Sequence, residues 1–131
     1  MKEHTQKLLD KSLDVLEAAE VLLNSGKIDV AAGRVYYSMM HTAEALLFEE
    51  NDLSFNKHGD IHAAYGLYFA KTKILDPQFH RWLLDAFDQR IIGDYDVSSE
   101  LDQDMVSEVI DQARKFLHTA REYLENKARM S

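Results

Sequence analysis

Arg90, Asp94 and Tyr95 close one stretch of helical apolar period, and Arg34, Tyr37, His41 and Glu44 are spaced along another. These types can do chemistry together. An arginine holds phosphate, a histidine moves a proton near neutral pH, and a tyrosine stacks on a base or hydrogen-bonds to it. Projected at about 100° per residue, Arg90 falls on the line of Phe79, Leu83 and Ala86. A guanidinium aimed there must be paired or face a cleft, because an unpaired buried charge is costly. Asp94, four residues on, is a local partner, and Glu44 is a possible long-range one. A structural ion pair and a functional arginine are both open at this point.

The same projection places Arg34, Tyr37, His41, Glu44 and Phe48 on one side of a second segment, opposite Ala32, Val35, Tyr36, Met39, Ala43, Leu46 and Leu47. A solvated back face carries Lys and Glu rather than Tyr, His and Phe together. Either this helix is central and packs on both sides, or the second stripe forms a dimer seam or lines a polar cleft. His58 and His62, in His-Gly-Asp-Ile-His, have a spacing that can chelate a metal on a helix. No third ligand adjoins them except Asp60, on another side, so no metal site and no cofactor is assigned. His41-x-x-Glu44 reverses the Glu-x-x-His order of di-iron bundles. The glycines are isolated, no Ser or Thr has a nucleophile context, and cysteine is absent.

The elements that must position these groups are helices. Leu9, Leu13, Leu16, Ala19 and Leu23 predict a first helix from about His4 to Ser25, with Gly26 as its stop. A second helix is expected from about Asp29 to Glu50, and a third, shorter one carries Ile61, Tyr65, Tyr68 and Phe69. Asp76-Pro77 starts a fourth, bearing Phe79, Trp82, Leu83, Ala86 and Phe87 and ending near Gly93. A last helix aligns Met105, Val109, Ala113, Phe116, Ala120 and Tyr123. The expectation is one all-α domain over residues 1–131, an up-and-down bundle of about five helices.

With 131 residues, 46% of them hydrophobic, the chain can bury one core without staples. Fifteen Lys and Arg against 23 Asp and Glu give a net charge of −8, a field that does not steer towards bulk DNA or RNA. No apolar stretch approaches the ~20 residues that cross a bilayer, and the N-terminus has no signal-peptide core. A cytoplasmic protein without membrane contact is expected.

Three strings, in order along nearly the whole chain, resemble the HEPN domain family. They are Arg34-Val35-Tyr36-Tyr37 with His41-Thr42-Ala43-Glu44-Ala45-Leu46-Leu47, then Lys57-His58-Gly59, then Arg90-Ile91-Ile92-Gly93-Asp94-Tyr95. A final helix with Ala113-Arg114-Lys115-Phe116 follows. The resemblance implies a homodimer, often paired with a minimal nucleotidyltransferase in a two-component, toxin–antitoxin-like system. Active HEPN members are metal-independent endoribonucleases with an Arg-x4–6-His motif, the dimer bringing two copies into one cleft. Arg90 matches the motif arginine, but Tyr95, Asp96 and Val97 occupy the positions where the histidine would stand.

The expected function is therefore that of a non-catalytic or weakly catalytic binding or regulatory subunit for a nucleotide or RNA segment. Arg34, Tyr37, His41, His58, Arg90, Asp94 and Tyr95 are its candidate site. Arg90 and Arg34 hold phosphate, Tyr37 and Tyr95 stack or hydrogen-bond, and Asp94 orients Arg90. The alternative is an endoribonuclease in which His41 or His58 joins Arg90 in place of the missing motif histidine. A third reading is a purely structural module whose Arg90–Asp94 pair closes a helix end.

Overall fold

Apolar residues at steps of three and four wind Glu3–Asn24 into α1 in this computed structural model, which describes residues 1–130. Gly26 ends the helix with φ 79°, a backbone that only glycine adopts freely. The Lys27 N–H donates to the Leu22 carbonyl at 2.9 Å and closes the turn. The short link sends α2, Ile28–Asn51, back along α1. The third helix, α3, spans His58–Tyr65 and runs into one turn of π-helix, Gly66–Ala70. Then follow α4, Gln78–Tyr95, and α5, Gln103–Met130. The Asp76 carboxylate accepts from the Gln78 N–H at 2.9 Å and starts α4 as the sequence predicts.

Cross-helix pairs fix the directions. The Lys2 ammonium, at the start of α1, donates to the Phe48 carbonyl near the end of α2. Gly93, near the end of α4, abuts Asp29 at the start of α2. Arg114 and Arg121 of α5 pair with Glu20 and Asp10 of α1, in antiparallel order. The architecture is an all-α up-and-down bundle of five helices, with α2 central against α1, α4 and α5. All seven residues expected on the apolar face of α2 are buried. Full burial of side chains such as Leu9, Leu16, Leu46 and Phe116 contributes roughly 1.5–3 kcal/mol each.

The structure moves several expected positions. Leu13 is 40% exposed, and Ser12 takes its place in the interface. The Ser12 hydroxyl donates to the Ser38 carbonyl at 2.8 Å and lies 2.8 Å from the Thr42 hydroxyl, while Ser38 Oγ donates back to the Ser12 carbonyl at 2.9 Å. These small polar groups let α1 and α2 approach closely while satisfying one another. Met105 is exposed, and its neighbour Val106 is buried instead. The π turn shifts the helical phase, so that Phe69 is buried while Tyr68 faces outward. Finally, α4 does not stop near Gly93 but runs to Tyr95, with the Asp96 N–H closing on the Ile92 carbonyl at 2.9 Å. Among the described residues, no helix is long and apolar enough to cross a membrane.

Candidate functional site

Because α4 is helical through Gly93, its last turn lies against the first turn of α2. A Cβ on Gly93 would stand 2.9 Å from the Asp29 carbonyl oxygen and 3.3 Å from the Asp29 Cα, too close for any side chain. The glycine thus sets how near the two backbones come. Between them opens a cleft of about 270 Å³, lined from α2 by Asp29, Gly33, Arg34 and Tyr37 and from α4 by Arg90, Gly93 and Asp94.

Arg90 is the anchor of the α4 wall. Its Nε lies 3.2 Å from Asp94 Oδ2, one turn on, and its side chain is only 19% exposed. The contact is one of charge rather than an aligned hydrogen bond, since Nε has no acceptor in hydrogen-bond geometry. The guanidinium carbon sits 5.3 Å from the Tyr37 ring centroid and 5.9 Å from those of Tyr36 and Phe87. Faces of aromatic rings attract a cation and hold it without consuming its N–H donors. Arg34, on the opposite wall, is exposed and has no ion pair among the described residues.

His58 opens α3 beside the same tyrosines, its ring centroid 5.7 Å from that of Tyr36 and 5.5 Å from that of Tyr37. Burial, and then the charge of Arg90, hold its pKa below the ordinary 6.5. It is therefore neutral at pH 7, the form that can accept a proton.

Behind this layer Tyr36 and His62 are joined at 2.8 Å, phenol oxygen to Nε2. Burial raises the Tyr36 pKa despite the opposing charge of Arg90, so the phenol keeps its proton and donates it. Burial, then His58 and His80, lower the His62 pKa, leaving the ring neutral and able to accept. His80 Nε2 donates in turn to the His62 backbone carbonyl at 3.1 Å. This takes His62 out of the chelating spacing read from the sequence. Among the described residues, no group of three or more His, Cys, Asp or Glu side chains is placed to hold a metal ion.

Of the residues singled out in the sequence, Arg34, Tyr37, Arg90 and Asp94 meet in one cleft, and His58 stands against its tyrosine wall. His41 does not line that cleft. Its Nδ1 faces Glu44 at 3.1 Å, which also commits Glu44 to His41 rather than to Arg90. Tyr95, at the last residue of α4, is 75% exposed and outside the lining. Phe48 ends the α2 stripe far from Arg90, edge-on to His4 at 4.7 Å. Sequence reasoning missed Tyr36, His62, Phe87 and Asp29. Tyr36 and Phe87 read as packing residues and His62 as half of a chelating pair, and only the fold shows that Tyr36 and Phe87 sit against Arg90 with His62 behind them.

The sequence pattern of the HEPN domain matches residues 5–123. The chain belongs to the HEPN domain family. It is also similar to a Gloeobacter violaceus protein named UPF0332 protein glr0978, 34% identical over 125 residues, covering 95% of this chain and 98% of the relative. A Methanocaldococcus jannaschii protein, provisionally named toxin MJ0142, is 31% identical over 126 residues, covering 96% and 85%. A UPF0332 protein of Thermotoga maritima is 29% identical over 116 residues, covering 88% and 87%. In this HEPN domain Arg90 lies at the cleft, while Tyr95 is exposed and outside it.

Proposed function

We propose that this HEPN protein is a binding or regulatory subunit that holds a nucleotide phosphate, or the backbone of an RNA segment, in the cleft between α2 and α4. The observation that carries the reading is one cleft combining two arginines and a tyrosine, Arg34, Tyr37 and Arg90, in a chain of net charge −8. An acidic protein that leaves Arg34 unpaired on the wall of a cleft offers it to an anion from outside. The rings around Arg90 keep its donors available, and Asp94 fixes its orientation. A volume of about 270 Å³ lies just under the ~300–1,000 Å³ of sites that enclose a drug-sized molecule. It suits a phosphate and its sugar better than a whole nucleotide.

In this reading residues 1–131 act as one unit in the cytoplasm, as a homodimer, paired with a minimal nucleotidyltransferase in a toxin–antitoxin-like system. Two relatives from Methanocaldococcus jannaschii carry provisional toxin names, which supports that setting. The test is binding of a 5′-phosphorylated oligoribonucleotide by fluorescence anisotropy. Arg90→Ala and Arg34→Ala, each with unchanged circular dichroism, are expected to weaken it at least tenfold. Unchanged binding by both would overturn the assignment.

A second reading, a metal-independent endoribonuclease, is favoured by one observation. His58 shares the Tyr36–Tyr37 wall with Arg90 and is neutral at pH 7. It could take the proton of a ribose 2′-hydroxyl while Arg90 held the phosphate.

A further inference from the structure

Between residues 61 and 84 the local charge opposes that of the chain. Lys71, Lys73 and Arg81 face a single carboxylate, Asp76, in a protein with 23 Asp and Glu against 15 Lys and Arg. Among the described residues none of these three cations has an ion pair, whereas Lys2, Arg114 and Arg121 are each matched to a carboxylate. The same segment exposes large apolar side chains: Leu67 is 52% exposed, Ile74 47% and Leu84 38%.

Four of these residues, Leu67, Lys71, Arg81 and Leu84, share one place. Leu67, Ala70 and Leu84 line a shallow groove of about 630 Å³ between the π turn and α4, together with Lys71 and Arg81. The π turn makes this surface, because its altered phase leaves Leu67 outside while Phe69 is buried. π turns cluster at functional sites because they cost stability. The two walls pack closely, since the His80 ring lies 2.7 Å from where a Gly66 Cβ would be.

We propose that this groove docks an acidic amphipathic helix of a partner protein, with apolar side chains against Leu67 and Leu84 and carboxylates on Lys71 and Arg81. Two helical walls with an aliphatic floor suit a helix that inserts anchors at i, i+3, i+4 and i+7. Single-stranded RNA would need a run of aromatic platforms, and His80 is the one aromatic ring in the groove lining. A second copy fits poorly. A two-fold pairing of this face would set cation on cation.

The probe is a fluorescein-labelled peptide of about 18 residues, long enough for about five helical turns, with leucines at those anchor positions and glutamates elsewhere. The full chain is expected to bind it saturably, and a lysine counterpart not at all. Lys71→Glu/Arg81→Glu and Leu67→Asp, at exposed positions, should each weaken binding at least tenfold. Amide shifts in the unmutated chain should centre on Leu67 and Leu84, a readout that stands even where a variant fails to fold. No binding of the acidic peptide, equal binding by the variants, or shifts at this groove from RNA or phosphatidylglycerol vesicles instead would overturn the proposal. Because Arg90 lies outside this groove, Arg90→Ala should bind the peptide normally, which separates this proposal from the cleft reading.

Discussion

Arg90 and His58 rest on the same pair of tyrosine rings, Tyr36 and Tyr37, although 32 residues of chain separate them. A cation and a neutral imidazole are thereby held around one aromatic wall, with Arg34 across the cleft. The ring faces fix Arg90 without using its donors, and the charge of Arg90 helps to keep His58 unprotonated. The proposed binding rests on that arrangement, and four predictions test it.

Removing the guanidinium should hurt more than removing its partner. Arg90→Ala loses the proposed phosphate contact, whereas Asp94→Asn keeps the arginine and removes only the neighbouring charge. Oligoribonucleotide binding should fall at least tenfold for the first and about two- to fivefold for the second, since a half-exposed ion pair is worth about 0–1 kcal/mol. Anisotropy titrations of both variants against the unmutated chain check the ranking.

Gly93→Ala should open the cleft. The new methyl would meet the Asp29 backbone at 2.9 Å, which cannot rotate aside as a side chain does. Overpacking of this kind costs about 1–3 kcal/mol. Urea unfolding should show that loss, together with weaker binding, because Arg34 and Arg90 move apart.

Stability should depend on pH through the buried His62 and the half-buried His58. In the fold, His62 titrates below its ordinary 6.5, and so does His58. As pH falls through 6.5 the unfolded chain takes up protons that the folded one refuses, so stability is lost on acidification and fully present above that value. His62→Gln should flatten the slope of unfolding free energy between pH 7 and pH 5. An unchanged slope would mean that His62 is not held neutral.

Tyr36→Phe should separate the layers of the site. It leaves His62 Nε2 without its 2.8 Å donor but keeps the ring under Arg90. An orphaned buried acceptor costs about 1–3 kcal/mol, so thermal unfolding should shift down while oligoribonucleotide affinity stays within about twofold. A large loss of affinity would give the hydroxyl a direct role.

The bundle was legible because each helix writes its buried face at a period of 3.6, as Val35, Tyr36, Met39, Ala43 and Leu46 do on α2. Arg90 and Asp94 were legible as a pair for the same reason. Reading failed where packing overrode type. Ser12 displaced Leu13 from the interface because hydroxyls meeting Ser38 and Thr42 let the helices close up. Gly93 failed to stop α4 because its missing side chain is what lets α4 lie on Asp29. The Tyr36–His62 bond joins two helices through a loop, and no local pattern announces it. Tyr95 was read into the site from the string that resembles the HEPN family, but five residues beyond Arg90 a helix turns a side chain about 140° away from it.

The central claim is that the cleft holds phosphate without cutting RNA. It is tested most directly by incubating end-labelled single-stranded RNA with the purified protein in EDTA and following bound, free and cleaved strands together. The account predicts intact RNA that is bound by the unmutated chain and released by Arg90→Ala. Cleavage that disappears with Arg90→Ala or His58→Ala would contradict it and make the protein an endoribonuclease.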